Sequence, residues 1–318
     1  MRSPHRLVCV GDVIADVVLA VPALPPRGGD VLASTAAVQA GGAGLNVLVA
    51  ARRHDLAGVY AGAHGTGPFG DLARSALAAT GAEALHAPEP DLDTGFTVAL
   101  VEADGERTFV TAVGAEARLS ARTLAGVTVG DRDAVYVSGY DLVYPASGPA
   151  IGAWLAGAPP GALVVVDPGP LAADIPPTVR NAVARRTDWL TCNADEAVAL
   201  TGLNDPHQAA SALAGRDARS GVVIRLGAGG CLVAAVGEAP VPVPGYPVES
   251  VDSTGAGDAH TGVFIAALLA GRSPGAAAER ANAAAALAVG RQGPATAPTA
   301  LEVDAFAPAT GPWRTDLS

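Results

Sequence analysis

Lysine is absent: all 20 basic residues of this 318-residue chain are arginine. That excludes a P-loop lysine, a protein-kinase strand lysine and a Schiff-base lysine. Any phosphate chemistry must rest on backbone N–H groups, arginine and metal. Cysteine is scarce as well. Cys9, Cys192 and Cys231 are scattered and odd in number, which suits reduced thiols rather than a disulfide frame or a zinc site. Half of the residues are hydrophobic, yet no apolar run reaches the roughly 18 residues of a membrane span, so no transmembrane helix is expected. Positive charge is also short. A net charge of -11 argues against a nucleic-acid partner. The start, Met1-Arg2-Ser3-Pro4-His5-Arg6, leads straight into Leu7-Val8-Cys9-Val10, too short for the apolar core of a signal peptide. The expected compartment is the cytoplasm.

What the chain does have is a glycine-bearing turn that opens into an apolar helix. Val251-Asp252-Ser253-Thr254-Gly255-Ala256-Gly257-Asp258 runs on into Ala259-His260-Thr261-Gly262-Val263-Phe264-Ile265. Gly255, Ala256 and Gly257 carry almost no side chain, so a ligand can come close to their N–H groups. At a helix start such donors lack partners and lie at the positive end of the helix dipole, which favours an anion. Asp258 conflicts with that setting, because a carboxylate beside a phosphate site repels the ligand. The conflict resolves if Asp258 takes a proton from a hydroxyl that attacks the phosphate. An ordinary glycine turn with Asp258 as a helix cap is the alternative.

In chain order, residues 7–11 read as a buried strand, followed by Asp12 and Asp16. From Val17 to Ala40 the chain is extended and broken by Pro22, Pro25, Pro26, Gly28 and Gly29, which predicts strands of a small separate sheet. Gly41-Gly42-Ala43-Gly44-Leu45-Asn46 then opens a helix running to about Asp55. Gly65-Thr66-Gly67-Pro68-Phe69-Gly70 spells a dinucleotide fingerprint, with Glu89 downstream. Pro68 supplies no N–H to a pyrophosphate, and a complete strand–helix unit precedes it, so the stretch is read as a structural turn. Phe96–Val101 and Arg107–Thr111 flank Asp104-Gly105 as a hairpin. Segments 17–40 and 94–111 together predict a lid sheet over one end of the main sheet. Beyond residue 119 strands are expected at 134–138, 162–166, 188–191, 221–226 and 230–236, with helices near 147–156, 178–185, 206–214, 256–270 and 275–290. The pattern is α/β, a mostly parallel central sheet flanked by helices, and residues 1–318 divide most simply as one domain with a lid.

In such a sheet, ligands gather outside the carboxyl ends of the strands. Asp167 ends one strand there and Asn193 the next. Asn193 and Glu196 share a face if a helix begins at Asn193. A cap is the plainer role for Asn193. Arg225-Leu226-Gly227-Ala228-Gly229-Gly230 is a strand and turn that a hairpin explains equally well.

Residues 251–258 resemble the C-terminal signature D-T-x-G-A-G-D of the ribokinase-like (PfkB) family of carbohydrate and nucleoside kinases, with Ser253 in place of threonine. Gly41–Asn46 resembles its N-terminal signature G-G-x-x-x-N, and Asn193 with Glu196 its N-x-x-E motif. The resemblance covers nearly the whole chain and implies a ribokinase-like fold. It further implies an ATP-dependent kinase that transfers the γ-phosphate to a primary hydroxyl of a sugar. Asp258 is then the general base and Gly255, Ala256 and Gly257 the anion hole. Asp12, Asp16, Gly42 and Asn46 hold the substrate. Asn193, Arg225, Gly227 and Asn282 serve the nucleotide, and Glu196 with Asn193 supports Mg²⁺ through water. Asp252 matches a site for a monovalent cation such as K⁺, although the family's side-chain ligand falls on Ala297. Asn282 is open to a second reading as a solvated helix-face amide, Asp16 as a cap, and Asn46 as a helix-face amide. Arg107 either touches substrate or caps its hairpin. Ribokinases proper carry Asn at the position of Ile14 and Lys at that of Ala43, and both lost groups contact ribose. A bulkier acceptor suits the space, so a nucleoside kinase is the first alternative. A non-catalytic sugar sensor is the second, and the intact Asp258 argues against it. In relatives two lids often clasp, which implies a homodimer.

Overall fold

The computed structural model describes residues 5–307. The N-terminal expectation drawn from Met1–Pro4 lies outside them. Short runs rich in Val, Ile and Leu form most of the strands: β1 (Arg6–Val10), β2 (Ile14–Ala20), β3 (Thr35–Gly41), β4 (Ala57–Tyr60), β5 (Glu83–Ala84), β6 (Phe96–Val101), β7 (Arg107–Ala112), β8 (Ala134–Ser138), β9 (Leu163–Asp167), β10 (Trp189–Asn193), β11 (Gly221–Arg225), β12 (Cys231–Ala235) and β13 (Val241–Val243). Nine of them make one sheet in the order β13-β12-β11-β10-β9-β8-β1-β4-β5. From β11 to β5 every pairing is parallel, and β12 and β13 are added antiparallel.

Parallel strands need crossovers, and helices supply them on both faces. They are α1 (Ala43–Arg52), α2 (Pro68–Thr80), α3 (Ala121–Leu124), α4 (Gly139–Val143), α5 (Ser147–Leu155), α6 (Pro177–Ala184), α7 (Ala194–Thr201), α8 (Pro206–Leu213), α9 (Ala256–Leu269), α10 (Pro274–Val289) and α11 (Ala300–Phe306). The alternation of strand side chains divides the core in two. Leu7, Cys9 and Tyr136 point to the layer of α1, α9 and α10, packed with Leu48 and Phe264. Val8, Val10, Val135 and Val137 point to the other, with Ile151, Leu155 and Leu213. Helix α9 is buried from Ala259 to Ala267, so it is covered on every side rather than along one stripe.

The second sheet runs β3-β2-β6-β7. Its hairpin pairs Val101 with Arg107 around Gly105, whose φ of 88° needs glycine. The strands expected within 17–40 are β2 and β3, and the proline-bearing stretch between them is an exposed loop. Val38, Phe109 and Val110 stand exposed on this sheet. The five strands and five helices expected beyond residue 119 all form, with ends shifted by two residues at most. Helix α1 stops at Arg52, short of Asp55, which sits at φ 63°. The fingerprint-like stretch starts α2 at Pro68, and the Asp93 carboxylate accepts the N–H groups of Phe69 and Gly70 at 3.2 and 2.7 Å. A side chain of the protein fills that helix start, as a structural turn requires.

Candidate active site

Two helix starts converge at the carboxyl ends of the central strands. Helix α9 begins at Gly255, held at φ 73°, a left-handed conformation that costs other residues about 1–2 kcal/mol. No side chain caps this start. Ala256 N–H donates to the Ser253 carbonyl at 3.2 Å, and among the described residues no side chain plugs this helix start as Asp93 plugs that of α2. Helix α1 begins beside it, and the two helices pack so closely that a Cβ on Gly262 would lie 2.7 Å from Ala50 Cβ and from the Val47 carbonyl oxygen. That approach sets Asn46 of α1 against Asp258 of α9, and Asn46 Nδ2 donates to Asp258 Oδ2 at 2.8 Å. Asn46 Oδ1 is buried and has no partner among the described residues.

Burial pushes the Asp258 carboxyl up to about 7, with Asp167 adding to the rise while the Asn46 hydrogen bond and Arg225 oppose it. A carboxylate near that value exchanges a proton readily at neutral pH. Asp12 follows β1, is buried, and accepts from Ser138 Oγ at 3.2 Å; burial raises its pKa to about 6 despite that bond. Asp16, on β2 of the small sheet, is raised to about 6 by burial and by the Asp12 charge, against the pull of Arg107. Gly42 lies against Asp12, whose backbone oxygen would stand 2.6 Å from a Cβ there. Ile14 is buried at the start of β2, and Ala43 is the first residue of α1.

Across the cleft, β10 ends at Asn193, which caps α7. Asn193 Oδ1 accepts the Glu196 N–H at 2.8 Å, and Glu196 Oε2 accepts the Asn193 N–H at 2.7 Å. The capping reading of Asn193 is therefore correct as structure, and its side-chain oxygen is committed to the helix. Burial and Asp167 raise the Glu196 carboxyl, and Arg225 opposes them. Arg225, at the end of β11, reaches Asp167 Oδ2 at 2.7 Å, Thr261 Oγ1 at 3.2 Å and Glu196 Oε2 at 3.5 Å. Its Nε would lie 3.3 Å from a Cβ on Gly257, so the guanidinium rests against the glycine turn. Thr191 and Thr261 complete the ring around Asp167. Neither threonine carried a signal in the sequence.

Arg107 makes a contact that neither expectation named: its Nη2 pairs with Asp252 Oδ1 at 2.7 Å. Asp252 also accepts the N–H groups of Thr254 at 2.8 Å and Gly293 at 3.0 Å. Both oxygens of the carboxylate expected at a monovalent cation are thus engaged. Asn282 is buried rather than solvated, and its Nδ2 donates to the carbonyls of Val243 and Pro244 at 3.0 and 3.1 Å. Gly227 stands apart at φ 58°, with open space where a Cβ would point. His260 is buried next to this network, its ring nitrogens without a hydrogen-bond partner of good geometry among the described residues, and burial with the nearby Arg225 lowers it to about 3 against a small opposing effect of Asn282, so its ring is neutral.

The arrangement fits a nucleotide with a hydrated divalent ion. The turn at Gly255–Gly257 is a cradle that side chains would fill, and Glu196 offers a hard oxygen at its rim. Among the described residues no group of three or more His, Cys, Asp or Glu side chains forms a cage. Magnesium needs none, since it keeps waters and takes the rest of its shell from phosphate. No helix among those residues is long and apolar enough to cross a membrane.

A glycine turn at an uncapped helix start, a buried carboxylate at Asp258 and two further acidic positions at Asp12 and Asp16 are what a phosphotransferase with an alcohol group as acceptor requires. Comparison with known proteins agrees: the profile described as "pfkB family carbohydrate kinase" matches residues 4–300, and the chain belongs to that family. It is similar to the uncharacterized sugar kinase YegV of Escherichia coli, 30% identical over 316 residues that cover 95% of this chain and 94% of that one. The ribokinase of Haemophilus influenzae is 29% identical over 295 residues, 90% of this chain and 93% of that one. In fold it matches the structure of Arabidopsis thaliana ribokinase complexed with ribose and ATP, with a TM-score of 0.80 and 24% identity over 97% of this chain and 100% of the other.

Proposed function

We propose that this protein is an ATP-dependent sugar kinase that phosphorylates a primary hydroxyl, with Asp258 as general base. The observation that carries the proposal is the Asn46–Asp258 hydrogen bond, which joins the two glycine-marked helix starts at one buried carboxylate. In this reading Asp12, Asp16, Gly42 and Asn46 hold the acceptor's hydroxyls, and the partnerless Asn46 Oδ1 takes one of them. Asp258 receives the hydroxyl proton as the new oxygen–phosphorus bond forms. The bond from the γ-phosphorus to the bridging oxygen breaks, ADP leaves with its electron pair, and the proton passes later to solvent. N–H groups of Gly255, Ala256 and Gly257 stabilise charge on the transferring phosphoryl oxygens. A magnesium ion would neutralise phosphate charge, supported by Glu196 and, through water, by Asn193. Arg225 and the open turn at Gly227 face the nucleotide, and Asn282 shapes its far wall through β13 and α10. A K⁺ ion at Asp252 would share that carboxylate with the Arg107 guanidinium. Residues 1–318 act as one cytoplasmic kinase domain whose lid is the small sheet.

Ile14 and Ala43, apolar where ribose-binding relatives carry polar groups, favour a nucleoside as the second acceptor class. A screen of sugars and nucleosides for ATP consumption, with Asp258→Asn as control, tests the reading. Turnover of one class that vanishes in the variant supports it. ATP binding without turnover of any acceptor would instead indicate a sugar sensor.

A further inference from the structure

The Arg107–Asp252 pair joins parts of the molecule that the catalytic reading keeps separate. Arg107 opens β7 in the small sheet, the sheet whose β2 carries Asp16. Asp252 belongs to the loop that becomes the glycine turn. Both partners are largely withdrawn from solvent, with side chains 24% and 8% exposed, so water screens their attraction weakly. Asp252 receives more than the guanidinium. Its Oδ1 also takes the Thr254 N–H, one residue before Gly255, and its Oδ2 takes the Gly293 N–H. The loop around Gly293 touches the small sheet a second time, since a Cβ on that glycine would lie 3.5 Å from Gln39 Oε1 of β3. Arg107 also acts on Asp16, whose acidity it increases.

We infer that Arg107 is a positioning residue that acts through Asp252, tying closure of the small sheet to the shape of the Gly255–Gly257 turn. The guanidinium fixes the Asp252 carboxylate, and the carboxylate fixes the Thr254 N–H from which the turn begins. A ligand that orders the turn therefore orders the small sheet, and by linkage a ligand held at Asp16 tightens the turn. The inference rests on the proposed nucleotide site but not on the identity of the acceptor.

Its test uses Mg–ADP as the probe, without any sugar. In the full-length protein, Mg–ADP should slow amide hydrogen exchange across residues 96–112 by about five-fold or more, a coupling of the usual size. Arg107→Gln should lose that protection and bind Mg–ADP about five-fold more weakly, with a melting temperature within roughly 3 °C of the parent. Arg107→Lys should recover part of both effects, because a charge remains without the planar fork. Asp252→Asn should resemble Arg107→Gln, and the double variant should be no worse than either single change, the mark of one shared interaction. Full protection of residues 96–112 in Arg107→Gln would overturn the inference. So would additive losses in the double variant. Nucleotide binding without lid protection in the parent protein would also sink it, yet would leave the kinase reading standing. A protein that binds no nucleotide would end both.

Discussion

Asn46 and Asp258 lie 212 positions apart in the chain and meet at 2.8 Å. The bond matters because it opposes burial. Burial drives the Asp258 carboxyl up to about 7, and the Asn46 amide favours the ionised form. The carboxylate is thereby held where a small change in its surroundings alters its charge at neutral pH.

The pH dependence follows with a definite sign. A general base works ionised, so kcat/KM should rise with pH and level off above about 7. Asn46→Ala removes a bond that lowers the pKa, so the rising limb should move to higher pH by about one unit. Loss of acceptor contact would raise KM as well, but only the electrostatic role moves the limb. A profile measured with saturating ATP decides it, and an unmoved limb would break the link between the two residues.

Two substitutions in neighbouring positions should separate chemistry from binding. Asp258→Asn keeps size, removes negative charge beside the phosphates, and should retain ATP affinity while turnover falls about 10²–10⁴-fold. Gly257→Val should act on affinity. Its Cβ would meet Arg225 Nε at 3.3 Å and Cζ at 3.4 Å, and the added methyls would push into the guanidinium or the cradle. Calorimetric ATP binding alongside turnover distinguishes them; near-full kcat in Asp258→Asn would remove Asp258 as the base.

Glu196→Gln tests the metal. Glutamine can keep the reciprocal cap with Asn193, so the fold should hold. The magnesium concentration for half-maximal turnover should rise about ten-fold, the lower end of what lost metal-supporting groups cost. An unchanged magnesium titration would remove Glu196 from the site.

The small sheet offers the fourth test. Val38, Phe109, Val110 and Val113 are 58%, 57%, 63% and 57% exposed, and β3 and β7 leave unpaired edges. Two such sheets clasped together would cover both liabilities. Light scattering at micromolar concentration should show a dimer, and Val110→Asp should shift it to monomer. A monomeric parent protein would refute the clasp.

The large elements were legible in the sequence because each has its own local cause. Val135 and Val137 alternate with Ala134 and Tyr136 across β8, and the asparagine–glutamate spacing of a capping box stands in plain view at Asn193. The glycine turn was legible for the same reason, since φ 73° at Gly255 restricts the residue that can stand there. What was hidden depends on approach across the fold. Nothing near Arg107 points to Asp252, and nothing near Arg225 points to Asp167, because ion pairs between distant segments leave no periodicity. Asn282 was misjudged on one side for a related reason. Helix α10 is alanine-rich on every face, so the pattern gives no hint that its amide lies inside. Two-residue β5 is too short for any pattern to mark.

Helix α2 shares its glycine rhythm with a nucleotide site, yet its first amides already grip Asp93. A polyanion drifting along this surface therefore finds that berth occupied by a tenant it cannot evict without unfolding a loop. The start of α9 has no such tenant. Under the proposed function an anion is therefore turned away at α2 and received at α9, so the two look-alike helix starts do not compete for it.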